Sequence, residues 1–260
     1  MKSILLNLLP LVALLFVNPT LAQQSAAYTT AQAHSHNDYE QNEPFWKAYN
    51  QQYGSIEADL IFRNDTLYTA HDLKDVSPSR TFGSLYLNPI LAQIKKNGGS
   101  IYKDKNKQLQ LLIDFKTPAA PTMAALIKEL APHADLLAPK GSVKIVISGN
   151  MPNPSQFNQY PDYIYFDGRP TISYSPEQLE RIGLISQSLQ TYSRWTGSNN
   201  LPEADRIKLQ QVIEQAHRQG KKLRFWATPD TPAAWSTLMN LGVDYINTDK
   251  VVELAKFLKK

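Results

Sequence analysis

The chain has 260 residues, 42 % apolar, 10 % aromatic and 19 % charged, which is enough for one globular core and too apolar for disorder. Cysteine is absent, so disulfides, thiolate nucleophiles, cysteine-ligated zinc and iron–sulfur clusters are excluded. The formal net charge is a modest +4, and the available chemistry rests on His, Asp, Glu, Ser, Lys and Arg, with an oxygen-liganded metal as a further resource.

Residues 1–22 read as a secretory signal: Lys2 is the positive start, Ile4 to Val17 the apolar stretch, and Thr20-Leu21-Ala22 the small-residue cleavage pattern. Pro10 and the short apolar run argue against a retained spanning helix. Lys2 is the only charged residue of that segment, so its removal takes the net charge from +4 to +3. The expectation is an exported, periplasmic or secreted domain over residues 23–260. Short apolar runs then predict strands near 31–36, 54–61, 109–115, 143–148, 162–167, 183–187, 222–228 and 243–247. A further strand at 67–71 pairs with the second through a turn at Asn64-Asp65. Helical patterns fall at 120–131, 203–219 and 231–240, the middle one opening with Pro202 just inside and closing on Gly220. Eight strands alternating with helices, without internal repeat or linker, predict an α/β fold: a TIM-type (β/α) barrel in a single domain. The lysine-rich run 95–107 reads as a solvated helix end and loop, or alternatively as a patch for peripheral contact with the anionic headgroups of a membrane.

Three of the five histidines fall within the first 71 residues, in His34-Ser35-His36-Asn37-Asp38-Tyr39 and Ala70-His71-Asp72. Between them lies Ile56-Glu57-Ala58-Asp59, where strand alternation puts Glu57 and Asp59 on one face. Two like charges there repel and are costly to desolvate, and a cation between them answers both problems. Asp114, near the end of LQLLIDF, repeats the situation, with Lys116 on the same face. Carboxylates at adjacent strand ends form a hard, oxygen-rich site suited to calcium or magnesium. Taken singly, a Glu-x-Asp is commonly a solvated strand and a strand-end His a satisfied polar cap. Their combination at the carboxyl ends of barrel strands, where such barrels keep their active sites, points to catalysis.

Ser35-His36-Asn37-Asp38-Tyr39 resembles the Ser-His-Asn-x-Tyr opening of the catalytic X region of phosphoinositide-specific phospholipases C. Gly54-Ser55-Ile56-Glu57-Ala58-Asp59, with His71-Asp72 twelve residues on, resembles the Glu-x-Asp and His-Asp stretch of glycerophosphodiester phosphodiesterases. Both belong to the phospholipase C-like phosphodiesterase superfamily, and the His-Ser-His-Asn-Asp-Tyr wording is similar to its exported branch named after "altered inheritance of mitochondria". The resemblance is tight over 34–72, reaches Asp114-Phe115-Lys116, and returns at Phe225-Trp226-Ala227-Thr228 and Tyr245-Ile246-Asn247-Thr248-Asp249. Segment 117–220 matches only in its strand–helix rhythm. The resemblance implies a TIM barrel in which His36 and His71 are the general base and acid, a task suited to imidazole. It further implies Glu57, Asp59, Asp114 and Asn37 as ligands of a divalent cofactor, Ca2+ or Mg2+, with Lys116 stabilising transition-state charge. Glycerophosphodiesterases carry Arg-Gly after the first histidine, where this chain has Asn37-Asp38. Arg169 either replaces that phosphate-binding arginine or makes an ordinary ion pair with Asp167. Trp226 is either a substrate-lining aromatic or a barrel-core residue, and His34 either orients His36 or is simply packed.

His34-x-His36 also fits metal-dependent amidohydrolases, but the remaining His133 and His217 fall in or beside helices and leave such a site short of ligands. An exported, non-catalytic barrel holding a glycan or lipid head would suit the basic balance and the aromatics of 160–195, yet would need no acid–base pair. Nucleic acid is not an expected partner, since the charge excess is small and scattered. Nucleotide loops and a G-x-S-x-G elbow are absent. The resulting expectation is a metal-dependent phosphoric diester hydrolase whose partner is a small-molecule or lipid-head phosphodiester. Nothing in the sequence expresses the oligomeric state.

Overall fold

The computed structural model describes residues 28–259; the expected signal over 1–22 lies outside the described residues. From the amino end, β1 (Ala33–Ser35) leads to α1 (Trp46–Asn50), and β2 (Ser55–Arg63) folds back as a hairpin into β3 (Thr66–Thr69). Next come α2 (Asn88–Lys96), β4 (Leu109–Phe115), α3 (Ala119–Leu130), β5 (Val143–Gly149), β6 (Ile164–Gly168) and α4 (Pro176–Glu180). The chain continues through β7 (Ile182–Ser188), α5 (Glu203–Arg218), β8 (Leu223–Trp226), α6 (Pro232–Leu241), β9 (Ile246–Thr248) and α7 (Val251–Leu258).

Eight strands run parallel in the order β8-β7-β6-β5-β4-β2-β1-β9, and β3 pairs antiparallel with β2 outside that path. A parallel bridge between Arg224 and Tyr245 brings the two ends together, with the Asp244 and Tyr245 amides both donating to the Leu223 carbonyl at 3.1 Å. The sheet is therefore a nearly closed parallel barrel with helices outside it, as the strand–helix alternation predicts. LQLLIDF in β4 and VKIVISG in β5 are almost continuous apolar runs, which strands covered on both faces require. The β2–β3 hairpin turns at Asn64 and Asp65, both at positive φ (49° and 55°), a backbone that these short polar side chains tolerate. The three predicted helices match α3, α5 and α6 to within a residue, except that Pro202 sits just before α5 rather than just inside it. Sequence reasoning missed α1 and α4, each five residues long, and also α2 and α7.

Most of the core, including Ile56, Leu111, Ile113, Ile145 and Phe166, packs outside the barrel against the helices. A second cluster of Leu112, Val146, Leu184 and Tyr245, with Tyr165 beside it, fills the lumen. Because strand side chains alternate, the residues two steps from this plug, in either direction, point into the two ends of the barrel. Among the described residues, no helix is long and apolar enough to cross a membrane.

Candidate active site

Parallel pairing sets Asp59 beside Asp114 and Asp114 beside Ser148 at the carboxyl ends of β2, β4 and β5. One oxygen each from Glu57, Asp59 and Asp114 lies within 4.8 Å of the others. Over this cluster opens a cavity of about 440 Å³, whose wall includes His36, Asn37, Glu57, His71, Asp114 and Lys116. Arg169 and Trp226 complete the predicted set on the same wall, while Asp59 lies fully buried behind it, touching His71 and Lys116. Residues from His36 to Trp226 are thus gathered at one mouth.

The carboxylates do not wait for a metal to balance them. Glu57 accepts from Arg224 at 2.8 Å and from His34 Nε2 at 2.8 Å. Burial alone would raise the Glu57 carboxyl, but the Arg224 guanidinium and the His34 bond hold it well below the usual carboxylate range. On Asp59, a single oxygen, Oδ2, accepts from Tyr39 (2.8 Å), His71 Nδ1 (3.0 Å) and the Lys116 ammonium (3.0 Å). Lys116 also reaches Asp114 at 3.2 Å. Burial, opposed by Lys116, pushes Asp114 up to about 6. Protein cations therefore supply much of the compensation that sequence reasoning assigned to a metal alone.

Two observations nevertheless fit a hard cation. Asp59 Oδ1 is buried without any hydrogen-bond partner, an expensive condition that an ion would relieve. Asn37 faces the same cavity from a left-handed turn (φ 43°), so the donor set is entirely oxygen. Gly149, at φ 68°, also belongs to this cradle: a Cβ there would stand 2.2 Å from Asp114 Oδ1.

Both catalytic candidates are oriented by carboxylates. His36 Nδ1 bonds Asp249 at 2.8 Å, which leaves Nε2 available to the cavity. Burial lowers the His36 imidazole, but the Asp249 bond and the Glu57 charge outweigh this and carry it above its ordinary value. His71 Nδ1 is held in the same way by Asp59. His34 is fully buried and pushed down to about 3 by burial and by Arg224, so it is neutral. Its hydrogen bonds assign the tautomer: Ser55 Oγ donates to Nδ1 at 2.7 Å, and Nε2–H donates to Glu57. His34 is therefore a packed, satisfied strut, and Asp249, not His34, orients His36.

Arg169 makes the expected ion pair with Asp167 and also lines the cavity. It pairs with Asp167 at 2.7 Å, is tied to Ser186 (3.2 Å) and Ser148 (3.4 Å), and still faces the cavity. Trp226 stands 39 % exposed at the rim rather than in the barrel core. Sequence reasoning missed Arg224, Asp249 and Tyr39 as site residues. Arg224 had a usable signal, an arginine at an inward position of an apolar strand; Asp249 becomes a partner of His36 only through β1–β9 pairing across 213 residues.

The mouth of this parallel barrel thus joins two carboxylate-held imidazoles, an acidic cluster and fixed cationic groups. The chain belongs to the AIM6-like phosphodiesterase domain family, whose model matches residues 23–167. A model described as the glycerophosphoryl diester phosphodiesterase family matches residues 222–251. Among similar proteins, altered inheritance of mitochondria protein 6 of Eremothecium gossypii is 26 % identical over 86 % of this chain and 68 % of its own length. The protein 6 homolog of Arthroderma benhamiae is 27 % identical over 84 % and 81 %, respectively. A solved glycerophosphodiester phosphodiesterase from Agrobacterium tumefaciens str. C58 aligns at TM-score 0.47 and 16 % identity, covering 88 % of this chain and 98 % of that one.

Proposed function

We propose that this chain is an exported, divalent-metal-dependent phosphodiesterase acting on a phosphodiester with a hydroxyl next to the bridging oxygen, such as a glycerophosphodiester or a phosphoinositide-like head. The observation that carries the reading is the convergence of His36 and His71, each fixed through Nδ1 by its own carboxylate, on one cavity that also holds Arg169 and Lys116. Glu57, Asp59, Asp114 and Asn37 would hold calcium or magnesium, which when bound polarises a phosphoryl oxygen and acidifies the attacking hydroxyl. Arg169, tied down by Asp167 and two serines, presents a fixed guanidinium to the phosphate. One imidazole takes the proton of the neighbouring hydroxyl as its oxygen bonds phosphorus, and the other protonates the leaving oxygen as its bond to phosphorus breaks. The product is a cyclic phosphate, released or opened by water. Trp226 offers the substrate an apolar rim.

The non-catalytic barrel reading does not account for two separately oriented imidazoles, and the amidohydrolase reading loses His34 to its buried contacts with Ser55 and Glu57. The test is hydrolysis of a panel of phosphodiesters by metal-stripped protein, then after resupply of calcium or magnesium, beside His36→Ala and His71→Ala. Activity should return with metal and fall about 10²–10⁴-fold in each variant. Metal-independent turnover would overturn the cofactor assignment, and full activity in either variant would overturn the acid–base pair.

A further inference from the structure

The opposite end of the barrel holds a second cavity, about 400 Å³, that the acid–base chemistry does not touch. The alternation that sends Asp114, Ser148 and Trp226 to the mouth sends Gln110, Lys144 and Lys222 to the floor, beneath the Leu112–Val146–Leu184–Tyr245 plug. Lys107 and Lys221 join them from the adjoining loops. Four lysines therefore border one recess, and among the described residues no Asp or Glu lines it.

Their local partners are all neutral. Among the described residues, none of the four, three half-buried and Lys222 exposed, lies within 4.0 Å of a carboxylate, whereas the charges of the mouth discussed above have ion-pair partners. Lys144 Nζ sits 4.8 Å from the centre of the Tyr165 ring, and Lys222 Nζ 4.9 Å from that of Tyr245. Lys221 donates to the Ile182 carbonyl at 3.0 Å, and Lys107 to the Gln52 amide oxygen. Burial, with Lys222 and Lys221 nearby, holds Lys144 below the usual lysine range; burial does the same to Lys221, opposed only by the more distant Glu180. Lysines that merely snorkel out of a barrel end would diverge toward water. These instead border a shared concavity with their charges unanswered.

We propose that the floor cavity is a second site, binding a small, multiply charged anion of the phosphate class, distinct from the substrate of the mouth. Four ammonium groups supply up to twelve N–H donors and no acceptor, a set that suits oxyanions. The volume is that of a small-molecule pocket. Among the described residues, none of the exposed large apolar side chains lines it, which favours a dissolved anion over a lipid surface.

Pyrophosphate is a suitable probe, titrated calorimetrically into the full chain at constant ionic strength. Wild type and Arg169→Gln should share one saturable event of equal affinity, and any further event that Arg169→Gln weakens belongs to the mouth. Lys144→Gln combined with Lys222→Gln should weaken it about tenfold or more. Should that double variant fail to fold, Lys221→Gln at the cavity edge carries the test and should weaken binding about threefold. Equal affinity in wild type and the lysine variants, loss confined to Arg169→Gln, or no saturable binding to wild type would each overturn the proposal. Lysine-dependent binding to phosphatidylglycerol vesicles without pyrophosphate binding would overturn it in favour of a membrane surface.

Discussion

The two ends of the same barrel treat charge in opposite ways. At the mouth, acids and bases interleave: Glu57 with Arg224, Asp59 with Lys116 and His71, Asp167 with Arg169. At the floor, Lys107, Lys144, Lys221 and Lys222 share one sign. Both ends obey the same rule, that inward positions beyond the lumen plug are polar, and they differ only in whether counter-charges are built in. A buried charge with its partner removed is far more costly than a partly hydrated one, because desolvation is already complete. The mouth is therefore balanced by its own ion pairs. The floor retains electrostatic free energy that an external anion can release.

The largest expected effect comes from breaking the mouth. Arg224→Met removes the guanidinium from Glu57 and leaves a buried carboxylate hydrogen-bonded by the neutral His34, with His36 the remaining nearby base. A stability loss of about 3–5 kcal/mol is expected in chemical denaturation. A loss below about 1 kcal/mol would mean that Glu57 simply takes up a proton at little cost.

An intermediate case lies behind the mouth. Asp38 is fully buried and hydrogen-bonded by neutral donors, Ser35 Oγ at 2.8 Å, the Phe45 amide at 2.5 Å and Tyr86 at 3.0 Å, with the Lys47 charge a smaller influence. Burial outweighs these bonds and pushes its carboxyl up to about 6 from an ordinary 3.8. The folded state thus holds this proton more tightly than the unfolded state, so the group's contribution to stability grows as pH falls through about 6 toward 3.8. Comparing wild type with Asp38→Asn at about pH 7 and about pH 4, the stability difference should move toward wild type by on the order of 2–3 kcal/mol. An unchanged difference would show that the three hydrogen bonds hold the carboxylate as well as water does.

The smallest effect belongs to the floor. Lys144→Gln alone should leave stability unchanged or raise it by up to about 0.5 kcal/mol at low salt, and the gain should vanish at high salt, where repulsion is screened. A clear destabilisation at low salt would reveal a counter-charge and erase the contrast between the two ends. The exposed lysines of 95–107 lie on the floor side, so membrane contact through that run would turn the mouth away from the bilayer.

Much of the architecture was legible because its signals are local. Apolar runs such as LQLLIDF and VKIVIS carry strand identity within a few residues, and Asn64-Asp65 carries the hairpin. Short helices such as α1 and α4 were not legible, since one turn has no periodicity to detect. At the site, Glu57 and Asp59 could be placed on one face by alternation, and Asp114 by its strand end, without knowing which strands are neighbours. The sequence by itself thus determined the repeating barrel elements and the side of each strand from which its polar groups project. Only the tertiary structure decided the pairings: Arg224 with Glu57, Asp249 with His36, and four lysines on one recess. The physical reason is that electrostatic partnership depends on distance in space, and the barrel brings together charges up to 213 residues apart by strand order rather than by any local pattern.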